Sequence, residues 1–375
     1  MLSISRISIH LVAIFALLSC NGGGSKGVED FGEKLYTPTH ASGYVIEGDN
    51  ECNTLIRVTR PWQGEALVEQ TLAIFSSEEQ AKGYKGQHIV GHATRIVCMS
   101  SSHVAMLDAI GRSSSIVGVS GKQYIVNPAI AANDSIIDIG YDSNLDYEAL
   151  LSLRPDVVLM YGITAENSAV TAKFRELNIP YLYLGDYTEP SPLGKAEWLV
   201  AIGEIVGCRA TAIELFRGIE ERYTSTKSNI LAQSKPKVMF NLPYQDVWYM
   251  PADDSYMVRL VEDAGGEYIY KGKNTTGGSK AISLEEALRL MEGADIWLNP
   301  SGVTTLDELR TLAPHFVDCK VITGGNVYNN NNIRTPHGGS DFWESAIVRP
   351  DIVLSDMASI MSGKEENLHY HHKLK

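Results

Sequence analysis

The chain has 375 residues, 44% of them hydrophobic and 21% charged, the make-up of a globular protein long enough for two cores. A formal net charge of −13 argues against a nucleic-acid surface, where Lys and Arg on phosphates carry the affinity, and against broad adhesion to anionic lipid. The five cysteines form no C-x-x-C pair, so neither a zinc site nor a dithiol redox motif is indicated.

The first element is a leader. Arg6 precedes an apolar run from Ile7 to Leu18, about a dozen residues and short of the ~20 a helix needs to cross a bilayer. The run closes on Leu17-Leu18-Ser19-Cys20. It resembles a bacterial lipoprotein signal, which implies that residues 1–19 are removed, that Cys20 is lipidated, and that the body works in the periplasm or cell envelope. Residues 20–27 are a glycine-rich tether. That compartment allows disulfides, but the spacing of Cys52, Cys98, Cys208 and Cys319 pairs none of them.

Residues 28–92 predict a small β-rich extension, with strands at 44–46, 55–59 and 72–75 punctuated by Pro61-Trp62 and several glycines. From residue 93 to 190 the pattern is regular. A strand at 95–99 runs into Ser100-Ser101-Ser102, which offers an N-cap to a helix from His103 to Ile110. Strands at 116–119 and 136–139, a helix at 147–153, an apolar strand at 156–161, a helix at 165–177 and a strand at 181–184 complete a parallel α/β lobe. Residues 191–234 are helical: Ser191-Pro192 opens a connector, and 208–231 carries Ile213, Phe216, Ile219 and Tyr223 on one stripe. At 1.5 Å per residue that second helix spans roughly 35 Å, the length of a strut between lobes. Residues 235–375 predict a second lobe, with strands at 238–241, 247–250, 295–299, 321–322 and 327–328, helices ending near Ala264, at 283–291, 306–312 and 351–361, and a polar loop from Asn329 to Asp341. The stretch Glu148–Leu159 is echoed at Glu286–Leu298. The expected fold is therefore α/β: two Rossmann-like lobes with parallel sheets bridged by one long helix, plus the β-rich N-terminal extension.

Familiar catalytic patterns fail. Gly22–Gly27 matches G-x-G-x-x-G only as text, with no strand before it, and Gly278 stands where a P-loop lysine belongs. Neither H-E-x-x-H nor G-x-S-x-G occurs, and no nucleophile and base pair up, so the chain reads as no enzyme.

The ordered pieces Arg95-Ile96-Val97, Leu107–Gly111, Leu150–Val158, the strut, Ala264-Gly265-Gly266 and Ser283–Glu286 resemble the class III substrate-binding proteins of bacterial ABC importers, the receptors for iron–siderophores, haem and cobalamin. Pro192–Trp198 and Asp341–Ser345 look like a lipoprotein branch of that family. The resemblance covers Thr94 to about Met361 and leaves the extension unexplained. It implies a monomeric receptor that carries a metal chelate, holds no cofactor or resident metal, and binds no nucleic acid. Its partners would be a membrane permease and its ATPase subunits. It further implies permease docking through one glutamate per lobe, Glu148 with Glu285 or Glu286; the bland alternative is that acids simply favour a first helical turn.

In open α/β sheets ligands sit outside the carboxyl ends of the strands. That rule puts Ser101, His103, Lys122, Tyr124 and Tyr161 on the first rim and Trp248, Asn331, Arg334 and Trp343 on the second. Aromatic rings suit a flat or greasy chelate, and Arg334 with Lys122 favours an anionic ferric siderophore. Each has a plain structural alternative: His103 as a capping or packing residue, Tyr161, Trp248 and Trp343 as core, Arg334 as solvated. A rival reading is a receptor for free zinc or manganese using His103, His315 and His337; others are an extracytoplasmic enzyme or a surface scaffold. The tail His369-Tyr370-His371-His372 reads as an exposed, incidental cluster.

Overall fold

The computed structural model describes residues 27–64, 68–163, 165–230, 235–273, 278–365 and 367–375. The expected leader, Cys20 and most of the tether lie outside them.

Three five-stranded sheets organise the described residues. The first belongs to the extension. Glu33–Tyr36, Tyr44–Gly48, Thr54–Val58 and Gln70–Phe75 form an antiparallel meander, and His88–Val90 adds a parallel edge. Two of these strands, Glu33–Tyr36 and His88–Val90, are absent from the sequence reading. The sheet covers the open edge of lobe 1: the side-chain carbonyls of Gln87 and Gln70 accept from the backbone N–H groups of Tyr181 and Tyr183, at 3.3 and 3.4 Å. Edge groups of this kind otherwise invite pairing with another chain. The fully buried Glu197 fixes the extension further, accepting from Thr39, His40 and Ala41 N–H at 2.7–2.8 Å and from the Tyr36 hydroxyl at 2.7 Å. Satisfied so completely, a buried carboxylate is tolerable.

Lobe 1 is a parallel sheet in the spatial order Tyr181–Tyr183, Val157–Met160, Ile96–Cys98, Ile116–Val119, Ile137–Asp138. Its inner strands are buried on both faces, as helices packed above and below require. Asp156 ties the start of the first strand in place by accepting from Thr94 and Arg95 N–H at 2.7 and 2.9 Å. Lobe 2 repeats the plan as Glu267–Tyr268, Lys237–Phe240, Ile296–Leu298, Val327–Asn329, closed by an antiparallel strand, His372–Lys373. Val247–Pro251 and Ser279–Ser283 form a separate two-stranded ribbon.

Helices Pro192–Glu197 and Leu199–Ile205, broken at Trp198, lead into the 20-residue helix Arg209–Ser228. Its buried stripe is Ala212, Phe216, Ile219 and Tyr223, with Ile213 half-buried beside it. It bonds both ways: Glu220 to His40 of the extension at 2.7 Å, and Arg222 and Lys227 to Asp351 and Asp263 of lobe 2 at 3.1 and 2.7 Å. The two lobes thus stand on one rod, with a third body wedged behind the first.

Two expectations are corrected here. Val321 and Ile322 lie in a short helix, Lys320–Thr323, with both side chains buried. The tail is no exposed cluster: Tyr370 and His371 are buried, and Asp356 accepts from the N–H groups of residues 369, 370 and 371 at 2.9, 2.7 and 3.0 Å. Sheet pairing and a buried carboxylate hold what composition alone read as loose. Cys52, Cys98, Cys208 and Cys319 are all free thiols.

Candidate functional site

The carboxyl ends of the two parallel sheets face a common cleft. A cavity of about 240 Å³ sits between them. Lobe 1 supplies Ser100 to Ser102, Tyr161, Ile163, Asp186 and Tyr187; the connector supplies Pro192 and Lys195; lobe 2 supplies Tyr256, Phe342, Trp343 and Ile347. Trp343 also borders a wider basin of about 550 Å³ in lobe 2. That basin is floored by asparagines, Asn241, Asn299, Asn330 and Asn331, and flanked by Tyr249 and Arg334. Together the cavities fall within the size range of small-molecule sites.

Local backbone geometry builds the rims. The strand Ile96–Cys98 turns at Ser100, whose hydroxyl accepts from Ser102 N–H and caps the helix Ser101–Ala109. In lobe 2, Asn241 and Asn299 directly follow their strands with φ of 67° and 56°, and Ser301 has φ 56°. Left-handed backbone at non-glycine residues carries a cost that clusters at functional sites. Asn241 offsets it by donating from Nδ2 to the Tyr249 carbonyl at 2.7 Å while its own carbonyl accepts from Trp297 Nε1 at 2.7 Å.

A loop of lobe 2 bridges the cleft. The Ser101 hydroxyl donates to the Trp343 carbonyl at 3.2 Å. Next to it the buried Glu344 carboxylate accepts from Val126 and Asn127 N–H of lobe 1, both at 2.7 Å. Burial pushes the Glu344 carboxyl up to about 7, against the pull of those two N–H groups. At Gly339 the approach is so close that a β-carbon would lie 2.0 Å from the Tyr124 carbonyl oxygen, so only glycine fits.

Of the residues singled out from sequence, Ser101, Tyr161 and Trp343 converge on the interlobe cavity, and Asn331, Arg334 and Trp343 on the basin. Tyr124 is exposed beside Tyr141, whose ring centroid lies 6.4 Å away, on the same rim. Three are placed elsewhere. His103 is fully buried behind the cavity wall, its Nε2 3.7 Å from Asp186 Oδ1. Lys122 spends its ammonium on the carbonyls of Asn133 and Ile136 at 2.7 and 2.9 Å, which removes it as a ligand cation. Trp248 is fully buried, donating from Nε1 to the Phe240 carbonyl at 2.8 Å and packing on Trp297 and Phe316. It is core, and its neighbour Tyr249 takes the outward position. Glu148 and Glu285 are exposed in the first turns of their helices, while Glu286 lies 4.0 Å from Arg289. Among the described residues no three His, Cys, Asp or Glu converge as a metal cage.

Sequence reasoning missed Lys195, Asp186, Tyr187 and Tyr256. Lys195 donates to the Asp186 carbonyl at 3.0 Å and lies 4.7 Å from the Tyr256 ring centroid and 5.9 Å from that of Tyr187. Burial draws its ammonium below the ordinary lysine value, opposed by Asp186 and Glu189. Burial alone would raise the Asp186 carboxyl, but His103 and Lys195 outweigh it and hold it low.

One further regularity decides what kind of surface this is. Among the described residues the exposed aromatics are Tyr124, Tyr141, Tyr161 and Tyr187 in lobe 1 and Tyr244, Tyr249 and Trp343 in lobe 2. Each follows a parallel strand at its carboxyl end or, for Tyr249, lies in the ribbon that does. The chain belongs to the periplasmic binding protein family. The family's model matches residues 96–312, from the first strand of lobe 1 through the strut into lobe 2, and leaves out the extension. An uncharacterized lipoprotein of Methanocaldococcus jannaschii is 27% identical over 72% of this chain, and the match spans 65% of that relative's length. A periplasmic haem-binding protein of Pseudomonas aeruginosa superposes with a TM-score of 0.58 at 17% identity, covering 76% of this chain and 98% of that one. A possible iron-binding, periplasmic solute-binding protein of Staphylococcus epidermidis gives 0.56 at 18% identity, covering 72% and 98%. These likenesses establish the two-lobed fold; they leave the ligand open.

Proposed function

We propose that the protein is the lipid-anchored, substrate-binding component of an ABC importer, capturing a metal chelate (a ferric siderophore, haem or a cobalamin) in the cleft and delivering it to a membrane permease with its ATPase subunits. The observation that carries this reading is the gathering of the exposed aromatic side chains on the two cleft rims. Such rings bury large area with little rotamer loss and suit a broad, partly apolar guest. The solved relatives with this fold include proteins described as haem-binding and iron-binding. Arg334 and the asparagine floor supply polar contacts for the chelate's oxygens.

In this reading Ser101, Tyr161, Asn331, Arg334 and Trp343 contact the ligand, Tyr124 completes the rim, and Cys20 holds the protein at the membrane surface of the cell envelope. Glu148 and Glu285 present one free carboxylate per lobe for basic pockets on paired permease subunits, with Glu286 beside the second. The protein does no covalent chemistry: with a strut bonded to both ends of the molecule, the pocket is largely formed before the ligand arrives. Spectral titration with haemin, a cobalamin and a panel of ferric siderophores tests it. One saturable sub-micromolar partner is expected; no binding across the whole panel refutes the chelate assignment.

A further inference from the structure

The interlobe cavity has one feature that an apolar slot does not need, a cation in its wall. Lys195 stands on the short helix Pro192–Glu197 and lines the cavity together with Tyr187, Tyr256 and Trp343. An ammonium has three N–H donors. One goes to the backbone carbonyl of Asp186 at 3.0 Å. It also faces two rings, Tyr256 at 4.7 Å and Tyr187 at 5.9 Å, and among the described residues no carboxylate lies within ion-pair distance of it. The Asp186 carboxylate, which would neutralise it most simply, is turned instead toward His103, 3.7 Å away. The opposite wall carries the N-terminus of the nine-residue helix Ser101–Ala109, which adds a partial positive charge.

Asp186 and Glu189 attract this ammonium only from beyond ion-pair distance, so its charge is left partly uncompensated in an apolar wall, which is unfavourable unless something else supplies the contact counter-charge. We infer that the cavity receives an apolar, ring-bearing part of the ligand that ends in an anionic group, carboxylate or sulfonate in type, and that Lys195 is the residue that pairs with it. This rests on the cleft being the ligand site, and it narrows the ligand to an amphiphilic anion, with the tyrosine and tryptophan faces holding the apolar part and the ammonium fixing its orientation. The desolvated state of Lys195 fits the same picture, because an incoming anion restores what burial takes away.

Two fluorescent probes isolate the charge: anilinonaphthalene sulfonate and N-phenylnaphthylamine, the same ring system without the sulfonate. Wild-type protein should bind the sulfonate tighter by about tenfold or more. Lys195→Met should abolish that preference while leaving the uncharged probe's affinity within about twofold, and Lys195→Arg should keep it. Lys173→Met, on the surface helix Ser168–Glu176 outside the cleft, should leave the preference intact. The inference fails if the preference survives in Lys195→Met, if Lys173→Met removes it equally, or if neither probe binds. Should Lys195 serve only to brace the Asp186 turn, Lys195→Met weakens both probes alike, which also refutes it. A Lys195-dependent sulfonate preference alongside a negative chelate panel would refute the chelate assignment and leave this inference standing.

Discussion

Glu344 gives the sharpest test of how the lobes are held together. Its carboxylate is 2% exposed and bridges from the Trp343 loop to two lobe 1 N–H groups at 2.7 Å each. Burial, the largest influence, raises its carboxyl from the ordinary 4.5 to about 7, and Asp341 and Asp108 push the same way. Between those two values the folded protein holds a proton that the unfolded chain has already released. Stability must then fall as pH rises through this window. With each tenfold in proton affinity equal to 1.36 kcal/mol, the rise amounts to about 3 kcal/mol, complete by about pH 8. Glu344→Gln cannot ionise, so this contribution to the slope disappears, although the amide can accept at only one oxygen and loses part of the bridge. Urea unfolding of both proteins from pH 4.5 to 8 measures the difference directly. If the two curves run parallel across that range, Glu344 does not carry a raised carboxyl, and its two N–H partners offset the cost of burial in full.

Trp343, 56% exposed and shared by both cavities, should cost about tenfold or more in ligand affinity when changed to Ala, with unfolding free energy altered by only about 0.5 kcal/mol; equal losses in both would make it structural. Charge reversal at Glu148 and Glu285 together should abolish uptake in cells and leave equilibrium ligand affinity unchanged, and persistent uptake refutes the docking assignment. Asp356→Ala leaves three N–H groups, two of them buried, without their acceptor, an expected loss of about 2–5 kcal/mol by thermal or urea unfolding, together with proteolysis of the last residues. Burial works to raise the Asp356 carboxyl, but His371 and the tail N–H groups outweigh it and hold it low. The stability it contributes is therefore present above the ordinary carboxylate value and is lost as pH falls through the depressed one, a dependence that Asp356→Ala should remove.

Much of this architecture is legible in the sequence, because alternating apolar strands and capped helices leave few options other than parallel sheets covered on both faces. The rule that ligands lie beyond the carboxyl ends of such strands then points to loops that line the interlobe cavity, Tyr161 and Trp343 among them. The rule fails at the level of single residues, for reasons that differ. Trp248 and Tyr249 are adjacent on a strand where neighbours face opposite ways, and only packing decides which is inside: Trp297 and Phe316 claim the tryptophan. His103 lies just inside a helix whose first turn meets the cavity, and its ring rotates inward behind Asp186. The extension's outer strand Glu33–Tyr36 is exposed or half-buried throughout, so it carries no alternation to read.

Lys195 is the most instructive omission. A lysine four residues into a capped helix ordinarily reads as solvent-facing, and its role comes from the way the helix Pro192–Glu197 is driven under the rim. That placement is dictated at a distance. The buried Glu197 on the same helix collects the N–H groups of residues 39 to 41, and Glu189 collects those of Ser42 and Gly43 at 3.0 Å. The extension therefore does more than cap an edge strand: by anchoring the connector it sets the position of Lys195 in the apolar wall. If Lys195 pairs with the ligand, the part of the chain outside the family's shared region bears on what the cleft selects, and a preference depending on Lys195 should also depend on the contacts made by residues 39 to 43.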